Sequence, residues 1–197
     1  MATPPDFTAG SVLTAAQMNA VGLWRITGCT VTSVGGTAAT ASNGVITVGS
    51  GNTSITVSSA FSADFDNYRI IYTGGTGSAA GAGINLQLGA STTTYYNVLT
   101  YAPYASGAYS NLINNNTLGY WYFAGNSDST YNAILDCELY EPQKARYTRF
   151  ASNFIQYDAA GRSSGIHQTA TAYTAFTLTL TAGSLTGGTI RVYGYRN

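Results

Sequence analysis

Turn-forming clusters recur along this chain, and the runs between them read as short strands with no long helix. Gly35-Gly36, Asn43-Gly44, Gly49-Ser50-Gly51-Asn52, Gly74-Gly75, Asn114-Asn115-Asn116, Gly125-Asn126-Ser127-Asp128, Gly161 and Gly187-Gly188 punctuate it. Gly and Asn adopt the positive backbone φ of tight turns at little steric cost. The intervals hold short runs rich in Val, Ile, Thr, Tyr and Phe, residues that fit a pleated sheet. Strands are predicted over residues 29–33, 45–48, 54–58, 68–73, 84–88, 119–123, 133–140, 148–156, 165–171, 176–181 and 189–195. Period-2 alternation is clearest at Leu178 and Leu180, and at Ile190, Val192 and Tyr193-Gly194-Tyr195. About ten short strands at this spacing predict an all-β antiparallel β-sandwich or barrel, with a jelly roll favoured at this size.

Composition narrows the partners. Charged residues make up 8% of the 197 residues, against roughly 25% in an average soluble domain. No stretch approaches the run of about 18 apolar residues that a spanning helix needs, so no membrane insertion is expected. The opening Met1-Ala2-Thr3-Pro4-Pro5-Asp6 lacks the basic and apolar regions of a signal peptide, and none is expected. Eight basic and eight acidic side chains leave no net charge. A nucleic-acid surface needs clustered Lys and Arg, so that partner is not expected either. A neutral chain is prone to associate with itself. Cys29 and Cys137 sit in strand-like stretches without CxxC or CxxH spacing, which predicts two buried small hydrophobes rather than a disulfide or metal site.

Residues 1–24 differ from the rest. Thr14 followed by Gln17 is a capping-box pattern, Ala15, Ala16, Gln17 and Met18 favour helix, and Gly22 is a natural stop. Barely two turns fit, and so short a helix is unstable alone. It must pack on its own domain, a sister subunit or a docking partner, and Leu13, Met18, Val21 and Trp24 are the apolar residues available. The expected organisation is a short helical anchor over residues 1–24 and a sandwich over residues 25–197. Residues 34–53 could form an extra hairpin, and residues 100–118 read as a loop carrying Tyr101, Tyr104 and Tyr109.

Catalytic chemistry finds little support. His167 is the only histidine, and no HExxH, GxxxxGK[ST] or strand-linked GxGxxG pattern occurs, so no catalytic residue, metal or cofactor is expected. Asp128, Asp136, Glu138 and Glu141 lie close together, as do Asp64 and Asp66. Two carboxylates a few ångströms apart can hydrolyse a glycosidic bond, and a calcium site is a second alternative. Asp136 and Glu138 share one strand face, however, and are expected to pair with Lys144, Arg146 or Arg149 across a hairpin. Aromatic clustering is the stronger signal. Tyr120-Trp121-Tyr122-Phe123 should place alternate rings on opposite sheet faces, and sixteen tyrosines exceed what one small core buries. Tyr101, Tyr104, Tyr109, Tyr120 and Tyr122 are therefore candidates for receptor or subunit contact.

Three segments resemble tailed-phage virion proteins of the tail-fibre, minor-tail and head-fibre kind. They are the leader Ala2-Thr3-Pro4-Pro5-Asp6-Phe7-Thr8-Ala9-Gly10-Ser11-Val12-Leu13-Thr14-Ala15-Ala16-Gln17-Met18-Asn19, the Ala60-to-Ile70 segment, and the C-terminal Gly187-Gly188-Thr189-Ile190-Arg191-Val192-Tyr193-Gly194-Tyr195-Arg196-Asn197. The resemblance implies a jelly-roll-like sandwich, usually a homotrimer, behind an N-terminal virion anchor in which Phe7, Leu13, Met18, Val21 and Trp24 would make the contacts. The expectation is a virion protein without enzymatic activity, located on the tail or capsid surface. The leading reading is a tail fibre contacting host cell-surface glycans. The alternatives are a capsid-bound head fibre or decoration protein, and a glycan-degrading enzyme.

Overall fold

The computed structural model describes residues 22–195. The predicted N-terminal helix, with Phe7, Leu13, Met18 and Val21, lies outside them. Among the described residues there are only strands, turns and loops: β1 (Trp24–Arg25), β2 (Thr30–Val34), β3 (Thr40–Ser42), β4 (Val45–Thr47), β5 (Ser54–Ser58), β6 (Asn67–Gly77), β7 (Ala82–Leu88), β8 (Tyr95–Pro103), β9 (Ser110–Asn115), β10 (Trp121–Ser127), β11 (Asn132–Tyr140), β12 (Thr148–Ile155), β13 (Ala159–His167), β14 (Phe176–Leu180) and β15 (Leu185–Tyr195).

Every strand pairing is antiparallel. One layer runs β15-β6-β11-β12-β13-β8-β9, with β1 and β4 on the outer edge of β15 and β3 on β4; the other runs β2-β5-β14-β7-β10. They meet where β10 pairs with the start of β11, Gly125 against Leu135 and Asn126 against Ile134. The result is sandwich-like. In β11, buried Ala133, Leu135, Cys137 and Leu139 alternate with half-buried Ile134, Asp136, Glu138 and Tyr140, as a strand with one covered face must. Ile55, Val57, Leu86, Leu88, Phe176 and Leu178 from one layer join Tyr68, Ile70, Tyr72, Leu139, Ile190 and Val192 from the other in one core. Phe61 links the layers, its ring 4.8 Å from Tyr68 and 5.9 Å from Phe176.

Three local expectations change. Residues 100–118 are not a loop: they hold the end of β8, a six-residue connection and β9, which forms an edge. The strand expected at 165–171 instead spans Ala159–His167. The aromatic alternation at 119–123 breaks as well. The register between β10 and β7 shifts between Trp121 and Gly125, and Phe123 has φ 53°, so this is a bulge. Trp121 enters the main core and stacks on Phe150 at 4.8 Å. Phe123 packs into a second cluster with Leu99, Phe154 and Ala159.

A bulge leaves backbone groups without ladder partners, and leaving them unpaired is costly when they are buried. Side chains supply the partners here. Tyr122 N donates to Asn97 Oδ1 at 3.0 Å, while Asn97 Nδ2 donates to Tyr122 O at 2.8 Å. Phe123 N donates to Asn85 Oδ1 at 3.3 Å, and Ser152 Oγ donates to Ala124 O. The buried Asn85, Asn97 and Ser152 are therefore braces for β10.

Strand direction defines two poles. β11 runs from Asn132 to Tyr140, roughly 27 Å at about 3.4 Å per step. Thr76 lies beside Asn132, and Asn67 beside Tyr140. Pairing across β12, β13 and β8 carries the connections 104–109, 128–131 and 156–158 to the Asn132 end. Trp24 pairs with Gly194, next to Tyr195, which pairs with Asn67. The chain therefore enters the fold at the opposite, Tyr140 end.

Candidate functional site

The sequence-derived residues separate in space. Trp24 lies in β1, half-buried and packed on the main core. Tyr101 is in β8, and its ring packs on Phe154 at 5.8 Å. Tyr120 precedes β10, its carbonyl accepting from Asn114 Nδ2 at 2.9 Å. Tyr122 lies in the bulge, its ring edge-on to Phe123 at 4.5 Å. Tyr104 and Tyr109 remain at the Asn132 pole, 62% and 86% exposed.

Two tyrosines missed in the sequence join them. Tyr131 follows β10, and Tyr157 sits between β12 and β13. Their rings are parallel within 5° at 5.2 Å, and both are about half exposed. Tyr104 N donates to Asp158 O at 2.8 Å, tying the third loop to the pair. Asp128 fixes the Tyr131 turn by accepting from the backbone of Thr130, Tyr131 and Gly81. Those bonds hold its carboxyl below the ordinary range. The Asp158 charge beside Tyr157 raises that phenol. The loops 78–81, 104–109, 128–131 and 156–158 contain no Lys or Arg. Exposed aromatic faces with mobile hydroxyls suit stacking on a sugar ring, and nothing in these loops attracts an anion.

The carboxylates do not converge. Asp136 takes a two-point contact from Arg69, Nε to Oδ1 and Nη2 to Oδ2, both 2.7 Å, so its partner is on β6 rather than across the β11–β12 hairpin. Glu138 accepts from the Tyr140 hydroxyl at 2.8 Å. Lys144 pairs with Asp66 at 2.6 Å and with Glu141 at 3.2 Å, and Arg146 with Glu141 at 3.3 Å. Asp128 and Glu141 thus lie at opposite poles.

His167 is fully buried on β13. Its Nδ1 meets Thr94 Oγ1 at 3.0 Å and its Nε2 meets the Tyr173 hydroxyl at 2.9 Å. Tyr95 stacks on the ring at 4.2 Å. Burial lowers its proton affinity, which suits a neutral structural imidazole. Cys29 and Cys137 are buried free thiols. Burial pushes Cys29 up to about 11 and Cys137 higher still. No family model, curated protein or solved structure matches the chain.

Proposed function

We propose that the chain is a non-enzymatic structural protein of a tailed-phage virion, a trimeric tail fibre with a jelly-roll sandwich. Residues 1–24 attach it, and its tyrosine-bearing pole contacts host-surface glycans. The observation that carries the reading is polar opposition: the leader joins the sandwich at Trp24, at the pole opposite Tyr104, Tyr109, Tyr131 and Tyr157. A projecting adhesin needs its anchor and its contact surface apart.

Strand order supports the jelly roll. β5-β14-β7-β10 faces β6-(β11-β12-β13)-β8-β9, the order of an eight-stranded jelly roll whose one central strand is expanded into a three-stranded meander. Zero net charge and the exposed Val98 and Ile113 beside the edge strand β9 favour self-association. Three copies would multiply weak sugar contacts by avidity. The cation-free loops favour neutral saccharides.

Phage carrying chromosomal variants provide the test. Deleting residues 1–24 should give particles that lack the protein. Tyr131→Ser with Tyr157→Ser should give particles that contain it yet adsorb about tenfold more slowly, from roughly 1.4 kcal/mol of lost stacking. Normal incorporation of the deletion, or normal adsorption of the double variant, refutes the reading.

A further inference from the structure

A second, chemically different site lies on the outer face of the sheet, away from both poles. A polar cleft of about 190 Å³ is bounded by Arg69 on β6, Asp136 and Glu138 on β11, Ala151 and Asn153 on β12, and Arg162 on β13. The register accounts for the hollow. Ala151 lies between Glu138 and Ser164 on its two neighbours, and Asn153 lies beside Arg162. A methyl side chain in the middle of that row leaves room for several ordered waters.

The polar groups are unevenly satisfied. Arg69 and Asp136 neutralise one another in their two-point contact. Glu138 is oriented by the Tyr140 hydroxyl and by a side-chain hydrogen bond with Tyr195. Arg162 is exposed and forms no hydrogen bond or ion pair with another described residue, and the Asn153 side-chain amide likewise has no partner among them. The cleft thus offers one unspent guanidinium fork, one oriented carboxylate edge and one amide.

We propose that this cleft binds a single sugar residue bearing a carboxylate, of the uronic-acid class. A planar carboxylate matches the guanidinium fork of Arg162 at two points. Ring hydroxyls donate to Glu138 and Asp136 and exchange hydrogen bonds with Asn153. A phosphate dianion fits less well, because two carboxylates line the same cleft and repel the second charge. A neutral sugar leaves Arg162 unused. This site does not depend on the virion reading, and its acidic ligand distinguishes it from the cation-free tyrosine pole.

The test is saturation-transfer NMR on the full-length protein with glucuronate, glucose or acetate at about 10 mM, suited to the millimolar affinity of a single sugar. Transfer to the ring protons of glucuronate, weaker transfer to glucose, and no displacement of glucuronate by equimolar acetate are expected. Arg162→Gln should weaken glucuronate binding at least about tenfold, through loss of a charge-assisted contact, with no change in melting temperature. Asn153→Ala should weaken it less. The Tyr131→Ser/Tyr157→Ser protein should bind glucuronate normally, so loss at the pole and loss at the cleft are told apart. No transfer to glucuronate, unchanged binding in Arg162→Gln, or displacement by acetate alone overturns the proposal.

Discussion

Asn97→Ala removes the main brace of the β10 bulge, and its cost follows from the contacts. The side chain accepts from Tyr122 N at 3.0 Å and donates to Tyr122 O at 2.8 Å and to Ser163 Oγ at 3.0 Å. After truncation the Tyr122 carbonyl keeps only Ser163 Oγ, at 3.4 Å, and the Tyr122 N–H has no partner. An unsatisfied buried donor costs ~1–3 kcal/mol and a lost neutral bond about 1 kcal/mol, so roughly 2–4 kcal/mol is expected. Equilibrium urea unfolding, with Asn111→Ala on the exposed face as a control near zero, measures it. Asn97→Asp sharpens the test. Its ionised carboxylate still accepts from Tyr122 N but opposes the Tyr122 carbonyl, so the variant should regain stability as pH falls and the acid becomes a donor. A loss below about 0.5 kcal/mol for Asn97→Ala, the range of ordinary surface changes, would refute the bracing argument.

Two further predictions follow from buried and close-packed positions. His167 binds its proton more weakly when folded than when unfolded, so its contribution is complete above the unfolded value near ~6.5 and falls away as pH drops below it, by at most about 1.4 kcal/mol per pH unit. Thermal melts from pH 7.5 to 5 should show that slope, and His167→Gln should flatten it; an unchanged slope in the variant rules out His167 as its source. At Gly161 an added Cβ would fall 2.0 Å from Thr100 O and 2.6 Å from Tyr101 Cα. Gly161→Val should therefore separate β13 from β8 and lower the melting temperature by several degrees, whereas exposed Ser164→Val on the same strand should not.

The sheet was legible wherever one face is apolar throughout. β5, β11, β14 and β15 alternate plainly in sequence because their inner faces meet the shared core. β8 and β13 were obscured by what covers them. Their inward positions include Asn97, Gly161, Ser163 and Gly165, small or polar residues beneath the bulged backbone of β10. Such a face satisfies peptide groups rather than burying rings, so it reads as loop. The break in alternation after Trp121 follows from the positive φ of Phe123, which no local pattern announces. The tyrosine pole was half visible. Tyr104 and Tyr109 stood out among small residues, but Tyr131 and Tyr157 are 26 positions apart by number and become neighbours only through the β10–β11 and β12–β13 connections.

The placement of β1 also fixes how the fold would bear a pull on its leader. Trp24 and Arg25 lie alongside Gly194 and Tyr193, and Ile26 N donates to Val192 O at 2.9 Å. A pull on Trp24 directed along β1 would run perpendicular to these hydrogen bonds and strain them together rather than peel them one by one. Ile26, only 2% exposed, would have to leave the core at the same moment. A tether in this shear geometry gives way in one concerted step, a mechanical grip out of proportion to the two-residue strand that provides it.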